Sequence, residues 1–321
     1  MRVRTPFVTL AALVAFIGSA GAGEWPDKPV RIIYPYAAGS TGDATARLIA
    51  RRLSDEFGQP FIVENRVGAN GVIGTEAVAR SAPDGHTLLW AVTPQIAISP
   101  AMIKVPYDPT ADFVPISAVS TNRFALLVNA KVPVKIVPGF IDYVRAQPKG
   151  FTYAEGGVGS ISHLSMVVLL DRAGLKGTNV SYKGNAPALT DVVAGHLPAM
   201  FALFGDALSQ AESGAIRLLA VSSEKRSAQA PNVPTIAESG FPGFNTTSWW
   251  GLMAPARTPT PIVERVAAQV RKATQDPKIV EQLNTFGVDP VGNSPAEFAA
   301  MISADIVLWA RAVKIAGLQA K

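Results

Sequence analysis

The sequence predicts an α/β fold of two lobes with a central cleft. Three observations carry that expectation. Strand and helix patterns alternate along 321 residues, the strand–helix–strand plan occurs twice, and extended crossovers join the two series. A chain of this length accommodates two lobes of about 100–200 residues each. Its 48% hydrophobic content supports real cores and excludes a disordered chain.

The chain opens with a leader. Arg2 and Arg4 form a positive start, and Phe7 to Ile17 is an uncharged, mostly apolar run of eleven residues. Small residues follow, and Ala20-x-Ala22 fits a signal-peptidase site. A membrane-spanning helix needs about 20 apolar residues, so this run is too short for one. Residues 1–23 are therefore expected to be a cleaved signal peptide and the mature protein to be periplasmic. The chain has no cysteine, which removes a lipidated cysteine anchor, disulfides and thiolate chemistry. Losing Arg2 and Arg4 lowers the formal charge from +5 to +3. The basic residues are scattered, so nucleic acid is not an expected partner. His86, His163 and His196 stand alone, without metal-ligand spacing. Neither a metal nor a cofactor is expected.

In the first series, Val30 to Tyr34 reads as a buried strand. A helix starts near Asp43 and places Ala46, Ile49, Ala50, Leu53 and Phe57 on one face. Phe61 to Glu64 is the next strand, Val72 to Arg80 a helix, and Thr87 to Val92 a third strand. Right-handed crossovers then imply a mostly parallel sheet. Phe113 to Val128 reads as two extended stretches broken at Asn122-Arg123. In the second series, strands are expected at residues 151–153, 180–182, 199–203 and 216–222, with helices over 160–173 and 185–194. Residues 230–242, rich in proline and glycine, wrap the surface. Trp249 to Ala254 is extended again. Thr260-Pro261 opens a helix. Ser294-Pro295-Ala296-Glu297 is a capping box whose helix buries Phe298, Met301, Ile302, Ile306 and Trp309. This reading assigns 24–124 with 245–321 to one lobe and 125–244 to the other.

Three strand-to-helix loops share one chemistry: Pro35 to Asp43, Ala154 to Ser160, and Lys183 to Pro187. Each combines glycine with hydroxyl or amide side chains and opens a helix. A helix N-terminus presents unpaired N–H groups and a partial positive charge, so it attracts carboxylates. Three such ends converging on a cleft would hold an anion without arginine. Asp43, Ser160 and Asn185 equally suit plain N-caps. Tyr36 is placed to cover a ligand's organic part. No Walker loop or G-x-G-x-x-G fingerprint occurs, so a nucleotide is not expected. Ser160 and His163 raise an alternative, an exported hydrolase. There is no G-x-S-x-G elbow, and residues three apart on a helix rarely adopt nucleophile–base geometry. His163 reads instead as packed under the loop or capping it. His86 and His196 read as surface, and Trp249-Trp250 as core or hinge packing.

Five blocks, Pro35 to Asp43, Asn65 to Gly74, Tyr153 to Leu164, Tyr182 to Asp191 and Trp249 to Pro259, resemble the Bug/TctC family in order and spacing. The runs Tyr107-Asp108-Pro109 and Pro231 to Gly240 also match. That family comprises the extracytoplasmic binding proteins of tripartite tricarboxylate transporters. The resemblance implies a type II-like periplasmic binding protein that closes like a Venus flytrap and does no chemistry on its ligand. It implies a di- or tricarboxylate, aromatic acid or amino acid as ligand, held partly through ordered water. It also implies membrane transporter subunits as partners; a ligand-sensing module feeding a receptor is the other reading. The chain is expected to act as a monomer. The ligand-binding residues so assigned are Tyr36, Gly39, Ser40, Thr41, Asp43, Gly156, Gly157, Gly159, Ser160, His163 and Asn185. The loop expected after the third strand, Thr93 to Ala97, and the segment Phe204 to Ala207 match positions that vary with the ligand in the family, which adds Thr93, Gln95 and Asp206. Ser40, Asn70 and Glu155 depart from the family pattern of small residues and bear on which ligand is chosen.

Overall fold

The computed structural model describes residues 25–319; the expected leader and its expected cleavage site lie outside the described residues. The first series runs β1 (Val30–Tyr34), α1 (Thr41–Phe57), β2 (Phe61–Asn65), α2 (Val72–Ala79) and β3 (Thr87–Val92). After β3 the chain does not form the open loop expected there. Pro94–Ile98 makes a wide helical turn that leads into α3 (Ser99–Met102). Two long strands follow, β4 (Phe113–Asn122) and β5 (Phe124–Asn129), broken at Arg123 as the pattern predicts.

The second series is α4 (Val137–Arg145), β6 (Phe151–Glu155), α5 (Ile161–Arg172), β7 (Gly177–Ser181), α6 (Asn185–Ala194), β8 (Ala199–Leu203), α7 (Phe204–Glu212) and β9 (Ile216–Val221). The chain then returns through β10 (Ser248–Pro255), α8 (Thr260–Gln275), α9 (Pro277–Thr285), β11 (Asp289–Pro290) and α10 (Pro295–Ile315). The capping box at Ser294 and Glu297 forms as expected.

Two sheets result, in the orders β11-β4-β10-β3-β1-β2 and β7-β6-β8-β5-β9. They are mixed rather than mostly parallel. β1 pairs in parallel with β2 and β3, but β10 is antiparallel to β3 and β4, and β5 is antiparallel to β8 and β9. The reason is connectivity. β5 and β10 enter their sheets from the other half of the molecule, so no helical crossover within the sheet forces them parallel. β3, β5 and β10 are buried along their whole length, because helices cover both faces of each sheet.

The two halves are joined at three places. Around Arg123, the Phe204 N–H donates to the Arg123 carbonyl (3.1 Å), and the guanidinium pairs with Asp289. Around Ser222, its hydroxyl accepts from Phe124 N–H (3.0 Å), and its carbonyl accepts from Thr246 N–H (3.1 Å). The third joint is α10. Its Phe298 and Ile302 pack into the core behind the first sheet, while Trp309, Ala312 and Val313 pack into the core of the second. α10 therefore contributes to both halves. His86, expected at the surface, packs against Trp25 with ring centroids 5.9 Å apart and its side chain only 11% exposed.

Asp305 sits midway along α10, where the two cores meet. The Trp249 indole N–H donates to its carboxylate at 2.7 Å. Burial pushes the Asp305 pKa up to about 6, with the bond from Trp249 and the nearby Trp309 indole opposing. Folding thus takes up a proton. This contribution to stability is fully present below the ordinary value near 3.8 and is lost as pH rises through about 6. Asp305→Asn keeps a hydrogen-bond acceptor without the buried charge. Urea unfolding is expected to show the variant about 3 kcal/mol more stable than wild type above pH 7, with little difference at pH 4.

Candidate functional site

The first loop is built around Asp43. Its carboxylate accepts from the Gly39 N–H (3.1 Å), from Arg47 (3.0 and 3.1 Å) and from the Asn65 amide (2.9 Å). Burial alone would raise the Asp43 pKa; the bonds from Arg47, Asn65 and Gly39 outweigh it and hold the carboxyl below its usual range. Ser40 caps α1 by accepting from Asp43 N–H, and its hydroxyl lies 3.1 Å from Tyr34 Oη. Tyr36 Oη donates to the Asn70 carbonyl at 3.3 Å, which ties this loop to the next.

The glycine loop of the second sheet also rests on buried acceptors. Gly156 N–H donates to Ser162 Oγ (3.0 Å), Gly157 N–H to the Glu155 carboxylate, and Gly159 N–H to His163 Nδ1 (3.1 Å). Ser160 N–H donates to the Gly157 carbonyl at 2.9 Å. Four of the loop's five N–H groups are thus used to shape the loop itself. Val158 supplies the fifth, and among the described residues neither it nor the N–H groups of Ile161 and Ser162 in the first turn of α5 have a protein acceptor. Glu155 is fully buried, and its other oxygen accepts from the Asn179 amide at 3.1 Å. Burial lowers the His163 pKa, with the Glu155 charge opposing. No hydrogen bond joins the His163 ring to Ser160 Oγ; that hydroxyl caps α5 and meets Ser162 Oγ at 2.9 Å. The geometry gives a hydrolytic pair no support.

At the third loop, α6 opens with Asn185. Its Oδ1 is buried without a hydrogen-bond partner and lies close to Gly156. A methyl group added to Gly156 would sit 2.4 Å from that oxygen and 2.9 Å from the Asn185 backbone nitrogen. The start of α6 can therefore approach the glycine loop only because residue 156 lacks a side chain.

Between the sheets lies a cavity of about 680 Å³. Of the residues expected from sequence, Tyr36, Gly156, Gly157, Gly159, Ser160 and Asn185 line it. Ser40, Thr41 and Asp206 line an adjoining chamber of about 270 Å³. Tyr34, Asn122, Leu203 and Trp250 border both. Gly39 is exposed and borders neither. Asp43, Thr93, Gln95 and His163 stand behind the walls. Thr93 Oγ1 accepts from Trp249 N–H at 2.9 Å, and the Gln95 amide closes on the two backbone groups of Val92 at 2.8 and 2.9 Å.

Sequence reasoning missed Tyr34, Asn122 and Trp250. Alternation along β10 was the available signal: Trp249 and Trp250 point to opposite faces and pack into different cores, and Trp250 is the one that also reaches the cleft. The large cavity is lined by no Asp, Glu, Lys, Arg or His. Its walls include Ile98, Phe124, Ile161 and Leu203, and its polar groups are hydroxyls, amides and helix N-termini. A separate cavity of about 380 Å³ near Asn129 and His196 lies at the opposite end of the second sheet, away from the carboxyl ends of its parallel strands.

Two α/β halves facing a cleft whose main cavity is uncharged and rimmed by helix N-termini have the fold of the two-lobed periplasmic binding proteins. The chain belongs to the TctC family, the tripartite tricarboxylate transporter family receptors, whose model matches residues 45–318. It is 34% identical over 320 residues to protein BugT of Bordetella pertussis, covering 97% of this chain and 98% of that one. Among solved structures it is similar to R. palustris Rpa4515 with adipate: 34% identity, TM-score 0.75, 92% of this chain and 99% of that one. It is also similar to MatC from Rhodopseudomonas palustris with bound malate: 31% identity, TM-score 0.72, 90% of this chain and 100% of that one. These family members are solute-binding receptors, not enzymes.

Two outcomes follow from the loop geometry. Gly156→Ala is expected to push α6 off the glycine loop and weaken acid binding by roughly tenfold or more, about 1.4 kcal/mol; calorimetry reads the loss. Protonating His163 places a second N–H against the Gly159 N–H. Lowering pH well below the ordinary histidine value of 6.5 is therefore expected to reduce the protection of the Gly159 amide, its exchange rate being compared with that of an unprotected amide at the same pH. His163→Gln should remove that pH dependence, as followed by NMR.

Proposed function

We propose that the mature protein resides in the periplasm and captures a small carboxylate between its lobes. It then delivers the acid, unaltered, to the membrane subunits of a tripartite tricarboxylate transporter. The observation that carries this reading is the uncharged cavity faced by the N-termini of α5 and α6. Neither helix has an acidic residue in its first turn, so both positive ends are available to an anion. The adipate of Rpa4515 and the malate of MatC support a carboxylate as the ligand class. Among the described residues no helix is long and apolar enough to cross a membrane, which fits delivery to separate membrane subunits.

The mechanism is a population shift. A ligand bridging both lobes stabilises the closed arrangement by its differential affinity for that state, and the monomeric receptor presents the closed shape to its partner. The test is a thermal-shift screen of the mature protein against mono-, di- and tricarboxylates, aromatic acids and amino acids. An acid at about 100 times its dissociation constant is expected to add roughly 2.7 kcal/mol of stability. A flat response to every acid would overturn the carboxylate reading.

A further inference from the structure

The cleft has two chambers, and their charges differ. The large one holds no ionised side chain. The small one, beyond the neck of Tyr34, Asn122, Leu203 and Trp250, is lined by Arg123 and Asp206. Arg123 is already matched: its guanidinium pairs with Asp289 and lies 5.6 Å from the centre of the Phe204 ring. Asp206 has no hydrogen bond or ion pair among the described residues. Asp206 is a solvent-exposed residue at the chamber wall, and partial desolvation there raises its pKa above the usual carboxylate value.

The helix ends carry the same asymmetry. α5 and α6, at the large chamber, have no acid in their first turns. α7, at the small chamber, carries Asp206 in its first turn, which offsets the positive end of that dipole; α1 carries Asp43, whose carboxylate is matched by Arg47. An anion therefore gains at one end of the cleft and meets an unpaired carboxylate at the other. Apolar side chains, among them Phe124, Leu203 and Trp250, line the path between.

We propose that Asp206 sets the ligand's polarity. The carboxylate lies toward α5 and α6, an apolar body passes the neck, and the far end is a cationic or hydrogen-bond-donating group rather than a second carboxylate. The inference rests on the carboxylate reading above and narrows it, by repulsion of the wrong far end as much as by attraction of the right one.

The test uses three acids of one six-carbon skeleton that differ only at the far end: 6-aminohexanoate, hexanoate and adipate. Calorimetry on the mature full chain is expected to rank them in that order, with adipate at least tenfold weaker than 6-aminohexanoate. Asp206→Asn is expected to raise adipate affinity about tenfold and lower that of 6-aminohexanoate, with an unchanged thermal melt in the absence of ligand. Adipate binding tightest to wild type, or an order unchanged in Asp206→Asn, would overturn the role of Asp206 and leave the carboxylate reading standing. Failure of all three acids, together with a flat acid screen, would overturn both.

Discussion

A loop that offers backbone dipoles to a ligand must first satisfy its own backbone. In this protein three buried acceptors meet that requirement. Asp43 takes the Gly39 N–H, Glu155 takes the Gly157 N–H, and His163 takes the Gly159 N–H. The cleft depends on these bonds, because they leave the ligand-facing surface to a few N–H groups, hydroxyls and amides. Two of the acceptors are acids, yet neither lines the large cavity. Negative charge beside the cleft is tolerated because its hydrogen bonds point it into the protein. Asp206 differs in this respect, since it lines the cleft and its carboxylate has no partner among the described residues.

The joint between the lobes follows a second constraint. Two sheets with independent cores would swing freely unless something packs into both. α10 does so, with Phe298 on one side and Trp309 on the other, and Asp305 between them bonded to the Trp249 indole. β10, which carries Trp249 and Trp250, returns the chain from the second lobe and runs beside β3, whose end leads into the Pro94–Met102 segment beneath the cleft. Wall, floor and joint are therefore made by neighbouring pieces of chain, so a change of lobe angle alters the shape of the cleft directly.

Much of this was legible in the chain. The capping box at Ser294, the strand break at Asn122-Arg123 and the glycine loops before α5 and α6 all form where the pattern places them. Each rests on neighbours within a few residues. Sheet direction was not legible, because β5 and β10 enter from the opposite lobe. The wide turn after β3 was read as a loop, since Thr93-Pro94-Gln95 resembles a break until Tyr107 Oη donates to the Gln95 carbonyl at 2.7 Å and α10 packs over the segment. His86 was read as surface because nothing local shows that Trp25 lies against it.

By itself the sequence determined an alternating α/β chain, its helix starts, its glycine-rich strand-to-helix loops and its likeness to the family to which it belongs. Those properties are encoded over a few residues or in ordered blocks. Only the tertiary structure decided which loop N–H groups remain open, that Arg123 is matched by Asp289 and that Asp206 is not. The physical reason is distance along the chain. Arg123 and Asp289 are 166 residues apart, and Trp249 and Asp305 are 56. Whether a buried charge or donor finds a partner depends on groups that folding alone brings together.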